Sequence, residues 1–372
     1  MHGEAVRPTK LTWEAQPRVH FRYYPEVWRS SRVSAWASLG VLRERRWEKL
    51  PDPKDTFASV GVRQRHGALS PKELRGEGGV YPMINVLAED RVFLNYGPVQ
   101  MQLMARAHGL AMTKQLQEAA EYVIRILSDL AEVQKQAKDV LTLDELDLSA
   151  YPLPLRLMVE AVLEVGDRTL TPMAAVAGTF ADLAGDWLVE KGATKVMINN
   201  GGDIALRLLG NEKTKLGLTS SIEASGYSHI LNITAGDEIG GVATSGLGGR
   251  SFTKGIASAV TVVAKTARVA DACATLIANH CLVEDPGILR LPAEQLDPNT
   301  DIPGHLVTVR VGDLSPQTKA MALENGLQKA IELKSLGRIH GAVLFLDDLV
   351  VMIPDDLCQA VKFEGGNQDG NS

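Results

Sequence analysis

Residues 196–206 read VMINNGGDIAL and predict a buried strand that enters a glycine turn. Gly201 and Gly202 can adopt positive φ and present backbone N–H groups to a phosphate or carboxylate of a ligand. Asp203 can then orient a hydroxyl or a metal-bound water. The sequence NGGD is equally typical of a hairpin turn. The residues alone therefore leave a simple turn and a ligand-binding loop open.

Strands and helices are predicted on both sides of this turn, which indicates an α/β (α+β) fold. The predicted strands lie in YPMINVLA, DRVFLNYG, KVMINN, IALRLLG, KLGLTSSI, HILNITA, GVATSG, SAVTVVA, VTVRVG, AVLFLDD and LVVMIP. The predicted helices span residues 115–137, 155–165, 171–192, 270–281 and 316–333.

The predicted organisation is one domain over residues 79–360, with an irregular N-terminal arm over residues 1–78 and a disordered tail over residues 361–372. The arm is rich in proline, arginine and tryptophan without a sustained period. Residues 18–49 mix arginines with aromatic side chains, which suits contact with an anion or RNA but is more typical of packing on a neighbouring domain or subunit. We therefore expect a homo-oligomer, most simply a homodimer.

The composition excludes several classes of function. A chain of 372 residues with a net charge of -6 lacks the concentrated basic surface that nucleic-acid binding needs. No window reaches the roughly 18 continuous apolar residues of a membrane span, and the first ten residues carry no apolar segment of a secretory signal. The three cysteines form no CxxC pair and no even-numbered framework. We expect a cytoplasmic protein with a small-molecule ligand and no nucleic-acid or membrane partner.

Residues 242–246 read VATSG and predict a neutral binding loop at the end of a strand. The hydroxyls of Thr244 and Ser245, next to Gly246, suit an anion or a hydroxyl group, and Arg250 adds a positive charge nearby. Ser245 is not expected to be a nucleophile, because the sequence GxSxG is absent and no histidine is placed to partner it.

Residues 270–275 read ADACAT and predict two oxygen ligands on one face of a helix. Asp271 and Thr275 are four residues apart, so their side chains point the same way, and such hard oxygen ligands suit Mg²⁺. The alternative is that Asp271 is a first-turn or N-cap residue of the helix and Thr275 a packing residue.

The helix predicted over residues 171–192 has an unusually small first half, with alanine at 174, 175 and 177 and glycine at 178. Small side chains there allow the close approach of another backbone or of a flat ligand. Packing is the commoner reason for such a pattern. Asp182 lies on the same helix and, taken alone, is expected to face solvent.

In this order and spacing, these segments resemble the ApbE-like superfamily, whose named members are FAD:protein FMN transferases. Such transferases carry a glycine-bearing helix ending in an aspartate, a strand with a GGD turn, VATSG, a VTV strand and a helix containing DAxxTA. The matching strings here are AGTFADLAGDWLVEKG, INNGGDI, VATSG, AVTVVA and ADACATL. The segments TPMAAVAG, NGGDI and ADACATLIAN are similar to a prokaryotic branch of the superfamily that has lacked an assigned activity.

The resemblance implies an ApbE-like domain with mixed sheets packed by helices, and a site for FAD or FMN with Mg²⁺. It places Asp271 and Thr275 at metal-binding positions, the GGD turn against the flavin nucleotide, and Thr244 and Ser245 on a loop that lines the same cleft. The expected catalytic residues are Asp203, Asp271 and Thr275. The expected cofactor-binding residues are Gly178, Asn200, Gly201, Gly202, Asp203, Thr244, Ser245, Gly246 and Arg250.

Three functions stay open. The first is an enzyme that binds FAD with Mg²⁺ and transfers FMN to a hydroxyl of a flavoprotein partner. The chain differs from the transferases in having Ala177 where they have lysine, and LGGRSFTKGIASAVTV where they have a histidine-containing segment. The second is therefore a cleft reused to reduce or hydrolyse a small cyclic or heteroaromatic carboxylic acid, held by Asn200, Asp203, Thr244 and Arg250. The third is a non-enzymatic flavin carrier or assembly subunit that holds a partner through the arm.

Overall fold

The structure of the chain is a computed structural model, which describes residues 22–23, 57–58, 82–139, 147–220 and 226–361. The predicted arm lies outside the described residues apart from two dipeptide strands, and the predicted tail lies outside them apart from Val361. The described residues therefore fall almost entirely within the predicted α/β domain.

Seven α-helices form in the described residues, and each predicted helix is represented among them, although the one predicted over residues 115–137 is interrupted at Val133. They are α1 (Thr113–Glu132), α2 (Gln134–Lys138), α3 (Leu153–Val165), α4 (Val176–Glu190), α5 (Ala267–His280), α6 (Ala293–Leu296) and α7 (Pro316–Ser335). A 3₁₀ turn over Pro172–Ala175 leads into α4. Helix α5 begins three residues earlier than predicted, because the side chain of Thr266 accepts a hydrogen bond from the backbone N–H of Val269 and caps it.

The strands include all of those predicted and several others. They are β1 (Arg22–Tyr23), β2 (Phe57–Ala58), β3 (Met83–Ala88), β4 (Arg91–Tyr96), β5 (Val99–Ala107), β6 (Leu110–Ala111), β7 (Lys195–Asn200), β8 (Asp203–Leu208), β9 (Lys213–Leu218), β10 (His229–Thr234), β11 (Gly241–Ser245), β12 (Ala259–Ala264), β13 (Ile288–Pro292), β14 (Leu306–Val311), β15 (Gly341–Leu346), β16 (Leu349–Ile353) and β17 (Gln359–Ala360). The nine-residue strand β5, which pairs with β7, is the main element that the sequence analysis missed.

Eleven strands form one sheet in the order β1-β16-β15-β12-β11-β8-β7-β5-β4-β3, with β6 paired to β5. Its pairs are antiparallel, whereas the four-stranded sheet β17-β10-β9-β2 contains the parallel pair β2–β9. Strands β13 and β14 form a separate two-stranded sheet. The predicted α/β class with mixed sheets and packing helices is confirmed.

The large sheet separates two hydrophobic cores. Val196 and Ile198 of β7 point to the first core, where they pack with helix residues such as Phe180 of α4. Met197, between them, points to the second core, which lies between the large sheet and Leu231 of β10. Because β7 is buried on both faces, the turn at its end is fixed by the core on either side.

Helices α4 and α5 approach each other closely at Gly178. A Cβ at this position would overlap the backbone carbonyl of Ala267 at the start of α5. The small residues of the predicted helix therefore serve packing at this position, as the commoner interpretation expects. A ligand contact for Gly178 stays a prediction.

Gly178→Ala is expected to destabilise the chain by about 1–3 kcal/mol, because the added methyl group forces α4 and α5 apart. Gly185→Ala in the same helix is the matched control: the nearest atoms to its added Cβ are 3.8 Å away, so the substitution gains up to about 1 kcal/mol of helix propensity. Urea unfolding of both variants measures the difference. Similar effects at the two positions would contradict this packing account.

Candidate functional site

The NGGD sequence forms a two-residue hairpin turn between β7 and β8. Asn200 pairs directly with Asp203, and the two glycines between them have φ of +73° and +114°. Positive φ at both central positions is typical of the turns that match the twist of paired strands. The backbone N–H of Gly202 donates to the side-chain oxygen of Asn199 at 2.9 Å, so this N–H is already used within the turn.

Asn200 and Asp203 present their side chains to the helical side of the large sheet. The Asn200 side-chain nitrogen donates to the backbone oxygen of Ala177 in α4 at 3.2 Å. This bond fixes the orientation of the amide, and its oxygen, Oδ1, is buried without a hydrogen-bond partner in the described residues. A buried acceptor without a donor is unfavourable, which makes Oδ1 a candidate ligand contact.

Arg250 lies against the same turn. Its guanidinium occupies the space that a Cβ on Gly201 would fill, and Nη2 is 3.5 Å from the backbone oxygen of Asn200. A side chain at position 201 would displace the guanidinium, so this glycine is required both by its φ and by its neighbour. The structure thus places Arg250 beside the glycine turn, next to other residues expected to bind the cofactor.

Asp271 of α5 lies beside the first turn of α4. Its Oδ2 accepts the backbone N–H of Gly178 at 2.9 Å. The residue before α4, Ala175, offers no capping side chain, and the first turn of α4 has no acidic residue. Asp271 thus supplies from another helix the acceptor that this helix end needs. Asp271 does cap a helix, as the alternative interpretation expects, but the helix that it caps is α4 and not α5.

Asp182 of α4 does the same for α5, and here the expectation of a solvent-facing carboxylate is wrong. Asp182 is fully buried. It accepts the backbone N–H groups of Ala267 and Arg268 at 3.1 and 3.0 Å, and it pairs with the guanidinium groups of Arg207 and Arg268 at 3.0 and 3.1 Å. The two helices therefore cap each other through Asp182 and Asp271, which fixes the position of Asp271.

Asp203 and Asp271 interact with each other. Loss of solvent raises the pKa of the Asp203 carboxyl to about 7, although the N–H of Thr244 and the charge of Arg250 lower it. Loss of solvent and then the charge of Asp203 raise the pKa of Asp271 well above its ordinary value, against the backbone N–H groups at the start of α4. A carboxyl whose charge is disfavoured by a neighbouring carboxyl suits a bound cation or a proton.

Thr275 follows Asp271 by one helical turn on the same face of α5, as predicted. Both are partly exposed, whereas Ala272, Cys273 and Ala274 between them are buried. In the described part of the chain, histidine, cysteine, aspartate and glutamate side chains nowhere gather in groups of three or more that could hold a metal ion. A metal ion here would be coordinated by two carboxylates, by hydroxyl or amide oxygens, and by atoms of a bound small molecule.

The end of β11 divides its two hydroxyl residues between the faces of the sheet. Ser245 is buried. The Thr244 hydroxyl lies 2.9 Å from the hydroxyl of Thr261 on β12. Val242, two residues before Thr244 and therefore on the same face of the strand, belongs to the second core. The Thr244 side chain therefore does not reach the face of Asp203 and Asp271. Its backbone N–H does, since it donates to Asp203 Oδ1 at 3.3 Å.

Gly246, directly after β11, has a φ of +139°, and a Cβ there would lie 2.9 Å from the backbone oxygens of Ala257 and Ser258. This tight packing accounts for the glycine of VATSG without a ligand. Asn199, which holds the turn, and Thr261, which lies against the Thr244 hydroxyl, were not among the predicted site residues. The two successive asparagines before the glycine pair were the available signal for Asn199.

We refer to Asn200, Asp203, Arg250, Asp271 and Thr275 together as the carboxylate cleft. They come from a hairpin, a loop and a helix that are far apart in sequence. In the described residues, no helix is both long and apolar enough to cross a membrane.

Comparisons with known proteins give two kinds of relative. A UPF0280 protein of Methanoculleus marisnigri is 34% identical over 187 residues, which are 49% of this chain and 73% of that protein. A UPF0280 protein of Methanothermobacter thermautotrophicus is 34% identical over 194 residues, which are 51% of this chain and 69% of that protein. The solved apo structure of the flavinyl transferase ApbE of Pseudomonas stutzeri matches 76% of this chain and 95% of its own at 11% identity, with a TM-score of 0.39.

The model of one protein family, described as AbpE bacteria, matches residues 84–357. This range contains the NGGD turn, VATSG and ADACAT, and it covers well over half of the chain. The recognition made from the motifs is confirmed: the chain belongs to the family described as AbpE bacteria.

Proposed function

We propose that this chain is an enzyme that binds a flavin nucleotide, FAD, together with Mg²⁺ in the carboxylate cleft. The observation that carries the proposal is a pair of carboxyls that have both lost solvent, in which the charge of Asp203 also raises the pKa of Asp271. The motif order shared with the FAD:protein FMN transferases, and membership of this family, indicate the kind of ligand.

The residues of the cleft fit Mg²⁺. Asn200, Asp203, Asp271 and Thr275 offer oxygen ligands. The charge of Asp203 raises the pKa of Asp271, so a cation at this place would stabilise the two carboxylates together. Mg²⁺ usually takes one or two carboxylates from the protein and completes its shell with water and ligand phosphates. Asp271, and Thr275 one turn beyond it, would hold the metal, with Asp203 beside them. Asp271 enters this arrangement with Oδ2 already oriented by the Gly178 N–H.

The chain's own residues then divide the work of binding. Arg250, over the turn at Gly201, is positioned to neutralise an anionic group that approaches the turn. Asp203 is held by the Thr244 N–H, and a carboxylate fixed in this way is placed to accept the proton of a hydroxyl acceptor. When bound, Mg²⁺ supplies charge neutralisation at the pyrophosphate.

The finer form of this proposal is FMN transfer. The hydroxyl of an acceptor protein would attack the FMN phosphorus of FAD, the pyrophosphate bond would break, AMP would leave, and the hydroxyl proton would pass to Asp203. Incubation of the full chain with FAD, Mg²⁺ and a threonine-containing flavoprotein partner is expected to give AMP and a covalent flavin adduct in equal amounts. If a folded chain binds FAD but produces neither AMP nor the adduct, the proposal of FAD binding stands and the proposal of FMN transfer is wrong.

A second candidate function is favoured by one feature, the unpaired Oδ1 of Asn200, a residue whose backbone oxygen lies 3.5 Å from Arg250 Nη2. An acceptor next to a cation suits a small heteroaromatic acid, whose ring N–H and carboxylate match the two groups. Thermal unfolding separates the candidates, because only a ligand that binds the folded chain raises its midpoint. A shift with 6-hydroxynicotinate, which carries a ring N–H as its pyridone tautomer, and none with FAD would favour the second.

A further inference from the structure

Lys254 lies in the loop between β11 and β12, where the transferases carry their histidine-containing segment, and the proposed function does not use it. Its backbone N–H donates to the side-chain oxygen of Asn279 in α5 at 2.9 Å. Its backbone oxygen accepts the hydroxyl of Thr308 in β14 at 3.0 Å. The lysine is thus tied to two different elements through its main chain.

The residues after Lys254 tie the loop to α5 still more firmly. A Cβ on Gly255 would overlap the backbone oxygen of Ala278, and the Ile256 N–H donates to the backbone oxygen of Cys281 at 2.7 Å. The loop cannot lift from the end of α5 without breaking these contacts. Lys254 therefore has a fixed starting point for its side chain.

Among the described residues, the ammonium group of Lys254 has no close partner of opposite charge. Lys254 is partly buried, and it is absent from the ion pairs of the described residues. Asp167, Asp301 and Arg290 act on it from a greater distance, and His305 lies near it. The two carboxylates favour its protonated form, while burial lowers its pKa. A partly buried cation with free donors is a common feature of binding sites.

The same face of α5 connects Lys254 to the carboxylate cleft. Asp271, Thr275 and Asn279 follow one another at four-residue steps and are all partly exposed, whereas most residues between them are buried. Eight residues of helix from Asp271 to Asn279 rise about 12 Å. Lys254, bonded to Asn279, therefore lies at the far end of a surface that begins at Asp271.

We propose that Lys254 binds an anionic oxygen group, a phosphate or a carboxylate, of a ligand that lies along α5 between Asp271 and Asn279. The inference rests on the proposed function in one respect, that the ligand occupies the carboxylate cleft. It adds a second charged contact, from a residue that the transferase motifs do not contain.

Two pairs of probes test this contact in the full chain. FMN and riboflavin differ by a phosphate, and nicotinate and nicotinamide differ by a carboxylate, so the affinity ratio within a pair isolates the anionic group. In whichever pair binds, we expect Lys254→Gln to weaken the affinity for the anionic probe about tenfold or more and to leave the affinity for the neutral probe unchanged. Lys254→Arg should keep the preference. Lys215→Gln, at an exposed lysine of β9, is the matched control.

Isothermal titration calorimetry measures the ratios, and thermal unfolding checks that each variant is folded. An unchanged ratio in Lys254→Gln overturns the inference, as does a wild-type chain that prefers the anionic member of neither pair. If FAD and FMN do not bind but nicotinate binds through Lys254, the proposed function fails and this inference stands. If FAD binds and Lys254→Gln has no effect on the ratio, this inference fails and the proposed function stands.

Discussion

Asp271→Asn is expected to remove the effect of Mg²⁺ on FAD binding and to lower any FAD-dependent activity by on the order of a hundredfold or more. The magnitude follows because a bound metal ion supplies several kcal/mol at a reacting phosphate, and each 1.36 kcal/mol or so is tenfold in rate. Asparagine keeps an oxygen that can accept the Gly178 N–H, so α4 keeps its cap while the charge is lost.

This design separates the two roles of Asp271. Asp271→Ala removes both the charge and the cap, so it should cost about 1 kcal/mol of stability as well as the metal effect. Thr275→Val is a companion variant that removes one oxygen from the same face and keeps the side-chain shape. Fluorescence titration of FAD with and without Mg²⁺ gives the binding, and urea unfolding gives the stability. An Asp271→Asn chain that binds FAD with the wild-type dependence on Mg²⁺ would show that Asp271 is only a cap.

Asp182→Ala is expected to destabilise the chain by about 3–5 kcal/mol, the range for removing one partner from a buried ion pair. The substitution leaves the guanidinium groups of Arg207 and Arg268 without their buried carboxylate. It also leaves two backbone N–H groups at the start of α5 without an acceptor. Asp182→Asn should cost less, because the amide oxygen can still accept from the helix.

Asp186→Ala is the matched control for this prediction. Asp186 also pairs with Arg207, at 2.7 Å, but its side chain is 54% exposed. Exposed pairs contribute at most about 1 kcal/mol. Urea unfolding of the two alanine variants compares them directly. A loss at Asp182 no larger than that at Asp186 would mean that the reciprocal capping of α4 and α5 contributes little.

The sequence predicts the elements of this fold well where local pattern determines structure. The apolar runs on either side of Gly201 and Gly202 became paired strands, and α7 begins at Pro316, as predicted. Strand β5 was missed although its sequence, VQMQLMARA, alternates apolar and polar residues over its first half. The alternation breaks at Met104, where consecutive residues are buried because the strand enters the centre of the sheet.

The site could be predicted only in part, because its contacts join distant segments. The spacing of Asp271 and Thr275 placed them on one face, since helical period is local. No local pattern could show that Asp182 is buried under two arginines, one of them 25 residues and the other 86 residues away. The separation of Thr244 from Ser245 was predictable in principle, because neighbours in a strand point to opposite faces.

Fluorescence titration of FAD with the full chain, in Mg²⁺ and again in EDTA, tests the central claim most directly. The claim is that the carboxylate cleft binds a flavin nucleotide with a divalent cation. It predicts saturable binding of FAD that weakens when Mg²⁺ is removed and that FMN competes with. A folded chain that binds no FAD in excess Mg²⁺ would contradict it.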